Sequence, residues 1–163
     1  PENGVCCPVP HLTPLTDPLA IRMEGGDKVI FDGLTTEMLQ AWGCFDNKVL
    51  NAGGQLIPNS AYRPPQYQQH LREVWDRYRD LTNDNSPLGP KCDTLRNQVT
   101  TDFNSHQPMT KQPGKKESRH TKGIAIDATI TPPVQDVDTL ANDCDLYRPL
   151  LFMGEPWHFE LRK

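Results

Sequence analysis

Between Thr35 and Leu161 the apolar residues recur with two different periods, and the change of period marks the elements. Met38, Leu39 and Trp42 follow Thr35 and Thr36 at helical spacing, and either threonine can cap the helix they predict. Asp32-Gly33 marks a turn just before it, and Gly53-Gly54 breaks the chain after it. Gln55-Leu56-Ile57 then reads as a short strand. Pro64-Pro65 opens the clearest helix, with Tyr67, Leu71, Val74, Trp75 and Tyr78 on one face. Prolines are tolerated there because first-turn N–H groups have no intrahelical partner. Leu95, Val99 and Phe103 predict a further helix. The period shortens to two at Gly123–Ile130, where Ile124, Ile126 and Ala128 alternate with Ala125, Asp127 and Thr129, the pattern of a strand. Val137, Leu140, Ala141 and Cys144 fit a short helix, and Trp157–Leu161 a last strand. The stretches Asn83–Pro90 and Gln107–Glu117 read as loops. Helices and strands mix without a βαβ rhythm, so the expected class is α+β. Pro1, Pro8, Pro10, Pro14 and Pro18 suggest an extended arm or linker over residues 1–22, with the folded domain over 23–163.

Composition narrows the function classes. The chain has 163 residues, enough for one ordinary domain with its own core. Its formal net charge is -4 and no basic block stands out, which argues against a nucleic-acid partner; Lys115-Lys116 reads as a solvated loop. No apolar stretch approaches the roughly 20 residues that span a bilayer. No signal-peptide pattern is present, and a start at Pro1 rather than Met is what a trimmed or mature fragment would show. The five cysteines contain no CxxC pair, which argues against a cysteine-rich zinc site. Two bridges and one spare thiol would suit an extracytoplasmic protein, with incidental free thiols as the alternative. The expected pairing joins Cys92 to Cys144, and Cys44 to Cys6 or Cys7.

Asp127 is the residue that calls for chemistry. It is a carboxylate inside the apolar run Gly-Ile-Ala-Ile-Asp-Ala, where burial without a partner or a cation is costly. Ala125 on the same strand face leaves room beside it, and the turn upstream can carry His120 back towards it. In Gly154-Glu155-Pro156-Trp157-His158-Phe159-Glu160, a strand would put Trp157 and Phe159 on one face and His158 and Glu160 on the other. Gly154 and Pro156 argue for a bend that swings Glu155 to the side of His158. Two imidazoles and a carboxylate make a catalytic zinc shell with one position left for water, whose proton a nearby carboxylate can take. Glu155 suits that task. Glu160 is the rival base, although on a regular strand it is expected to pair with another side chain. The competing reading is a buried Asp–His hydrogen bond beside an aromatic core strand. His11, His70 and His106 have the setting of surface or helix-face histidines, and the HExxH pattern is absent.

At these residues the chain resembles a known family. Ser118-Arg119-His120-Thr121-Lys122-Gly123-Ile124-Ala125-Ile126-Asp127 is similar to the SxHxxGxAxD motif of the D-Ala-D-Ala metallopeptidases. Glu155-Pro156-Trp157-His158 resembles their ExxH motif, and Ser60-Ala61-Tyr62-Arg63 with downstream Gln68 resembles their S-G-Y-R segment. The motifs stand in the family's order. Ala61 replaces the usual Gly, the stretch from Asn83 to Glu117 is idiosyncratic, and the cysteines are not a family hallmark. The resemblance implies the Hedgehog/DD-peptidase fold, a small central antiparallel sheet flanked by helices with a zinc cleft. It implies Zn2+ held by His120, Asp127 and His158, Glu155 as catalytic base, and Arg63 on the developing oxyanion or a substrate carboxylate. Ser118, Gln68 and Tyr62 would meet substrate, with Ser118 alternatively orienting His120. The implied protein is a monomeric, extracytoplasmic peptidase of the peptidoglycan stem peptide, acting on the terminal D-Ala-D-Ala bond. An endopeptidase cutting L-Ala-D-Glu or a cross-bridge, and a non-catalytic binding module on the same fold, are the alternatives.

Overall fold

The computed structural model describes residues 11–82, 92–106, 109, 112–114 and 117–162. By contact the chain divides into two compact units, one of residues 17–65 and 117–163, the other of residues 1–16 and 66–116. The loop expected over Asn83–Pro90, the Lys115-Lys116 pair, and Cys6 and Cys7 lie outside the described residues.

The first unit holds the sheet. Asp17 caps α1 (Pro18–Glu24), its carboxylate accepting from the backbone N–H groups of Leu19 and Ala20, and Pro18 sits at the first helical position. The arm expected over 1–22 is therefore helical from Pro18 onward. A proline that follows an Asp cap starts a helix as readily as it extends a linker. Thr35 caps α2 (Thr36–Asn51) by accepting from the Met38 N–H. Met38, Ala41, Phe45 and Val49 bury one face of that helix, while Leu39 is exposed.

The sheet is antiparallel with order β1-β2-β4-β3, formed by β1 (Gln55–Ser60), β2 (Ala125–Thr131), β4 (His158–Leu161) and β3 (Leu146–Tyr147). The expected α+β class with a small antiparallel sheet is what the structure has. Pro58 lies on the edge strand β1, where its missing N–H costs no central ladder bond. A bulge between Pro58 and Ser60 follows and brings Ser60 opposite Asp127. One core lies between sheet and helices. Phe45 of α2 meets Phe159 of β4 with ring centroids 5.0 Å apart. Leu56, Ile126, Ala128, Leu146 and Ala141 of α5 (Val137–Asn142) complete it. Trp157, expected to share a face with Phe159, precedes the strand and is 45% exposed.

Cys44 of α2 is bridged to Cys144, just past α5, with Cα atoms 5.7 Å apart. This corrects the pairing expected for Cys92 with Cys144 and for Cys44 with Cys6 or Cys7. The α2–α5 packing that brings Cys44 and Cys144 together has no signature in cysteine spacing. Cys92 is disulfide-bonded as well.

The second unit is carried by α3 (Pro65–Thr82) and α4 (Asp93–Ser105). Phe103 stacks on Tyr78 at 4.0 Å and meets Trp75 edge-on at 5.6 Å. The Arg96 guanidinium donates to the Leu81 carbonyl at 3.0 Å.

Candidate metal centre

The segment that presents His120 is a turn built from its own hydrogen bonds. The Ser118 and Arg119 carbonyls accept from Lys122 and Ile124 N–H, each at 3.1 Å, and Ser118 Oγ accepts from Thr121 N–H at 3.2 Å. Gly123 closes the turn with φ of 70°, and a Cβ there would run into the Gly33 carbonyl. The Gly123 carbonyl accepts from Thr35 N–H at 3.0 Å, so the turn is tied to the cap of α2. Four residues on from Gly123, β2 carries Asp127 to the middle of the sheet. Asp127 pairs with His158 on one side and Ser60 on the other.

His120, Asp127 and His158 each offer one ligand atom, and those atoms lie within 4.8 Å of one another. His120 Nε2 is 3.4 Å, and His158 Nδ1 2.7 Å, from the same Asp127 oxygen. Ligand atoms of a tetrahedral zinc shell stand about 3.3 Å apart. Both rings are buried, and each is anchored through its other nitrogen. His120 Nδ1 is 2.7 Å from the Ala61 carbonyl, and His158 Nε2 is 3.1 Å from a Glu160 carboxylate oxygen. A carbonyl and a carboxylate can only accept, so those nitrogens carry the protons. In their neutral forms both rings then turn a lone pair towards a carboxylate. Two lone pairs and an anion cannot converge in a buried site without a cation among them.

That cation is either protons on the rings or a metal ion. With protons alone, burial works against the Asp127 carboxylate, but hydrogen bonds and charge from His120 and His158 outweigh it. Its pKa falls well below the usual carboxylate range. Burial likewise disfavours a charged His158, but Asp127 and Glu160 hold its pKa above the ordinary imidazole value. A divalent metal meets the same demand with neutral imidazoles. The donor set of two imidazole nitrogens and one carboxylate oxygen fits zinc.

Glu155, Pro156, Trp157 and His158 form a turn in which the His158 N–H donates to the Glu155 carbonyl at 3.2 Å. The Glu155 N–H donates to Leu150 at 3.1 Å, so its backbone is held on both sides, next to Gly154 with φ of 85°. The Arg63 N–H donates to the His120 carbonyl at 3.2 Å, joining that segment to the turn. The Tyr62 ring packs over Gly33, and burial pushes its hydroxyl pKa up, reinforced by Asp17. The Ser118 hydroxyl is engaged in the His120 turn. Gln68 lies in the other unit, where its amide donates to the Gly114 carbonyl at 3.2 Å. In that unit His70 and His106 approach to 3.3 Å between Nε2 atoms, a context their sequence positions did not signal.

Two groups that orient the rings escaped the sequence reading. The Ala61 carbonyl is backbone and has no residue signature. Glu160 was expected to pair with a side chain, and it does, but one partner is His158 itself. The spacing of two residues along a strand was the available signal.

No family model and no curated protein matches the chain. Among the solved structures similar to it are two peptidase structures. One is a mutant of the vancomycin resistance D,D-pentapeptidase VanY from a VanB-type resistance cassette, in complex with Zn(II). It is 15% identical with a TM-score of 0.45, covering 80% of this chain and 73% of that one. The other is VanYB in complex with D-alanine-D-alanine, 15% identical with a TM-score of 0.46, covering 80% of this chain and 72% of that one. Similarity at this level does not place the chain in a family.

Proposed function

We propose that this chain is a zinc-dependent peptidase of the peptidoglycan stem peptide, hydrolysing the terminal D-Ala-D-Ala bond. The observation that carries the reading is the convergence of His120 Nε2 and His158 Nδ1 on one Asp127 oxygen, with each ring's proton drawn to its far side. Bound there, zinc supplies Lewis-acid chemistry that polarises a carbonyl and makes water acidic near neutral pH. Glu155 takes a proton from the attacking water and returns it to the leaving amine. Glu160 does not compete for that role, because His158, Arg119 and Tyr147 engage its two oxygens. Arg63, tied by its backbone to His120, offers a fixed positive charge to the substrate carboxylate or the developing oxyanion. The resemblance of the Ser60–Arg63, Ser118–Asp127 and Glu155–His158 segments to the D-Ala-D-Ala metallopeptidase motifs supports the substrate class. Residues 23–163 are the stretch we assign to the peptidase, with Ser118, Tyr62 and Gln68 kept as substrate-facing or positioning candidates. The Cys44–Cys144 bridge supports an extracytoplasmic location. Among the described residues no helix is long and apolar enough to cross a membrane.

Mass spectrometry of purified peptidoglycan digested with the zinc-loaded protein tests the reading. Loss of one terminal alanine is the expected product. Cleavage after L-Ala or within a cross-bridge would reassign it as an endopeptidase. One zinc per chain with no cleavage of any muropeptide would make it a binding module.

A further inference from the structure

We infer that Glu160 is a positioning residue that fixes which nitrogen of His158 faces the metal, and that Arg119 and Tyr147 hold it there. The inference rests on the metal reading of His120, Asp127 and His158. The two histidines present opposite nitrogens inward, Nε2 from His120 and Nδ1 from His158. Free imidazole places its proton on either nitrogen, so each ring needs a partner that decides the tautomer. For His120 that partner is the Ala61 carbonyl, fixed by the backbone. For His158 it is a side chain, which could in principle have taken another rotamer.

Glu160 is prevented from doing so. It shares the β4 face with His158, two residues away. In the ladder it lies opposite Ala125 on β2 and Tyr147 on β3. Ala125 is fully buried, and Glu160 opposite it is buried too. One carboxylate oxygen is 3.1 Å from His158 Nε2. The other accepts from the Tyr147 hydroxyl at 3.2 Å and forms an ion pair with the Arg119 guanidinium, whose Nε is 3.1 Å away. The Arg119 charge offsets an anion whose side chain is 9% exposed and which would otherwise be costly there. Arg119 immediately precedes His120, so the ion pair also links the two histidine segments across the sheet. This assigns a use to Arg119, which the motif resemblance leaves as a variable position, and to a carboxylate that is neither ligand nor base.

Partners of this kind, when removed, cost metal sites about 10–100-fold in affinity. Glu160→Ala in the full chain should weaken Zn(II) binding by that factor in chelator competition, with the far-ultraviolet circular dichroism retained. Glu160→Gln, whose amide oxygen can still accept the His158 proton, should recover most of the affinity. In wild-type protein loaded with Zn(II), nitrogen-15 NMR of the imidazoles should show His158 protonated at Nε2 with a slowly exchanging proton, and Glu160→Ala should lose that protection. Wild-type affinity and an unchanged His158 proton in both variants would overturn the inference and leave the metal reading standing. Failure of the wild-type chain to bind Zn(II) would overturn both.

Discussion

Asp127 and His158 stand directly opposite each other in the β2–β4 ladder, and their side chains meet at 2.7 Å. The register of two backbone strands therefore builds half of the candidate metal shell. His120, brought in by a turn, adds the third ligand atom 3.4 Å from the same carboxylate oxygen.

Asp127→Asn keeps the shape of the side chain and removes its charge. It should lower Zn(II) affinity by about 100-fold or more, since a direct ligand matters at least as much as the groups behind it. Titration with a competing chelator measures this, and undiminished affinity would mean that the metal is not held here.

Glu155→Gln should leave Zn(II) stoichiometry near that of the unaltered chain while kcat on muropeptides falls by about 10²–10⁴-fold, the usual contribution of a positioned base. A variant that turns over at the original rate would remove Glu155 from the mechanism.

The metal-free and metal-loaded chains should respond to pH with opposite sign. Without metal, the depressed Asp127 pKa contributes stability that is present above its ordinary value of 3.8 and lost as pH falls. The raised His158 pKa contributes stability that is full below 6.5 and lost as pH rises through its higher folded value. Zinc ligands must instead be deprotonated, so zinc binding strengthens over the same interval. Melting curves with zinc and with a chelator should diverge progressively from about pH 6 to pH 8. Parallel curves would show that the ring protons and the metal do not compete for one site.

Gly123→Ala places a methyl at a left-handed φ of 70° and against the Gly33 carbonyl. A loss of about 2–3 kcal/mol in urea unfolding is expected, together with weaker Zn(II) binding because the His120 turn must shift. Stability within about 0.5 kcal/mol of the parent would mean that the turn relaxes without strain.

Replacing Cys44 and Cys144 together by serine opens a bridge between residues 100 apart in sequence. The chain should lose about 2–5 kcal/mol of stability in urea unfolding, the range for native bridges and long closed loops. An unchanged midpoint would show that the α2–α5 contact is held by packing alone.

Sequence by itself determined the elements whose apolar period is local. Met38, Leu39 and Trp42 after the Thr35 cap mark α2, although Leu39 lies on its exposed side, and alternation from Ile124 to Thr129 marks β2, because burial on one face leaves a repeat in the chain. It also singled out His120, Asp127, His158 and Glu155, since a carboxylate in an apolar strand needs a reason and the neighbouring motifs resemble a metallopeptidase pattern. The tertiary structure alone decided what lies behind those side chains. The Ala61 carbonyl reaches His120 across 59 positions, and its role is a matter of backbone path that any residue type could serve. The Arg119–Glu160–His158 chain depends on a strand register and a turn meeting across the sheet. The Cys44–Cys144 bridge depends on how two helices pack. Hydrogen bonds between distant segments leave no period in the sequence, and that is why the candidate ligands were legible before the groups that aim them.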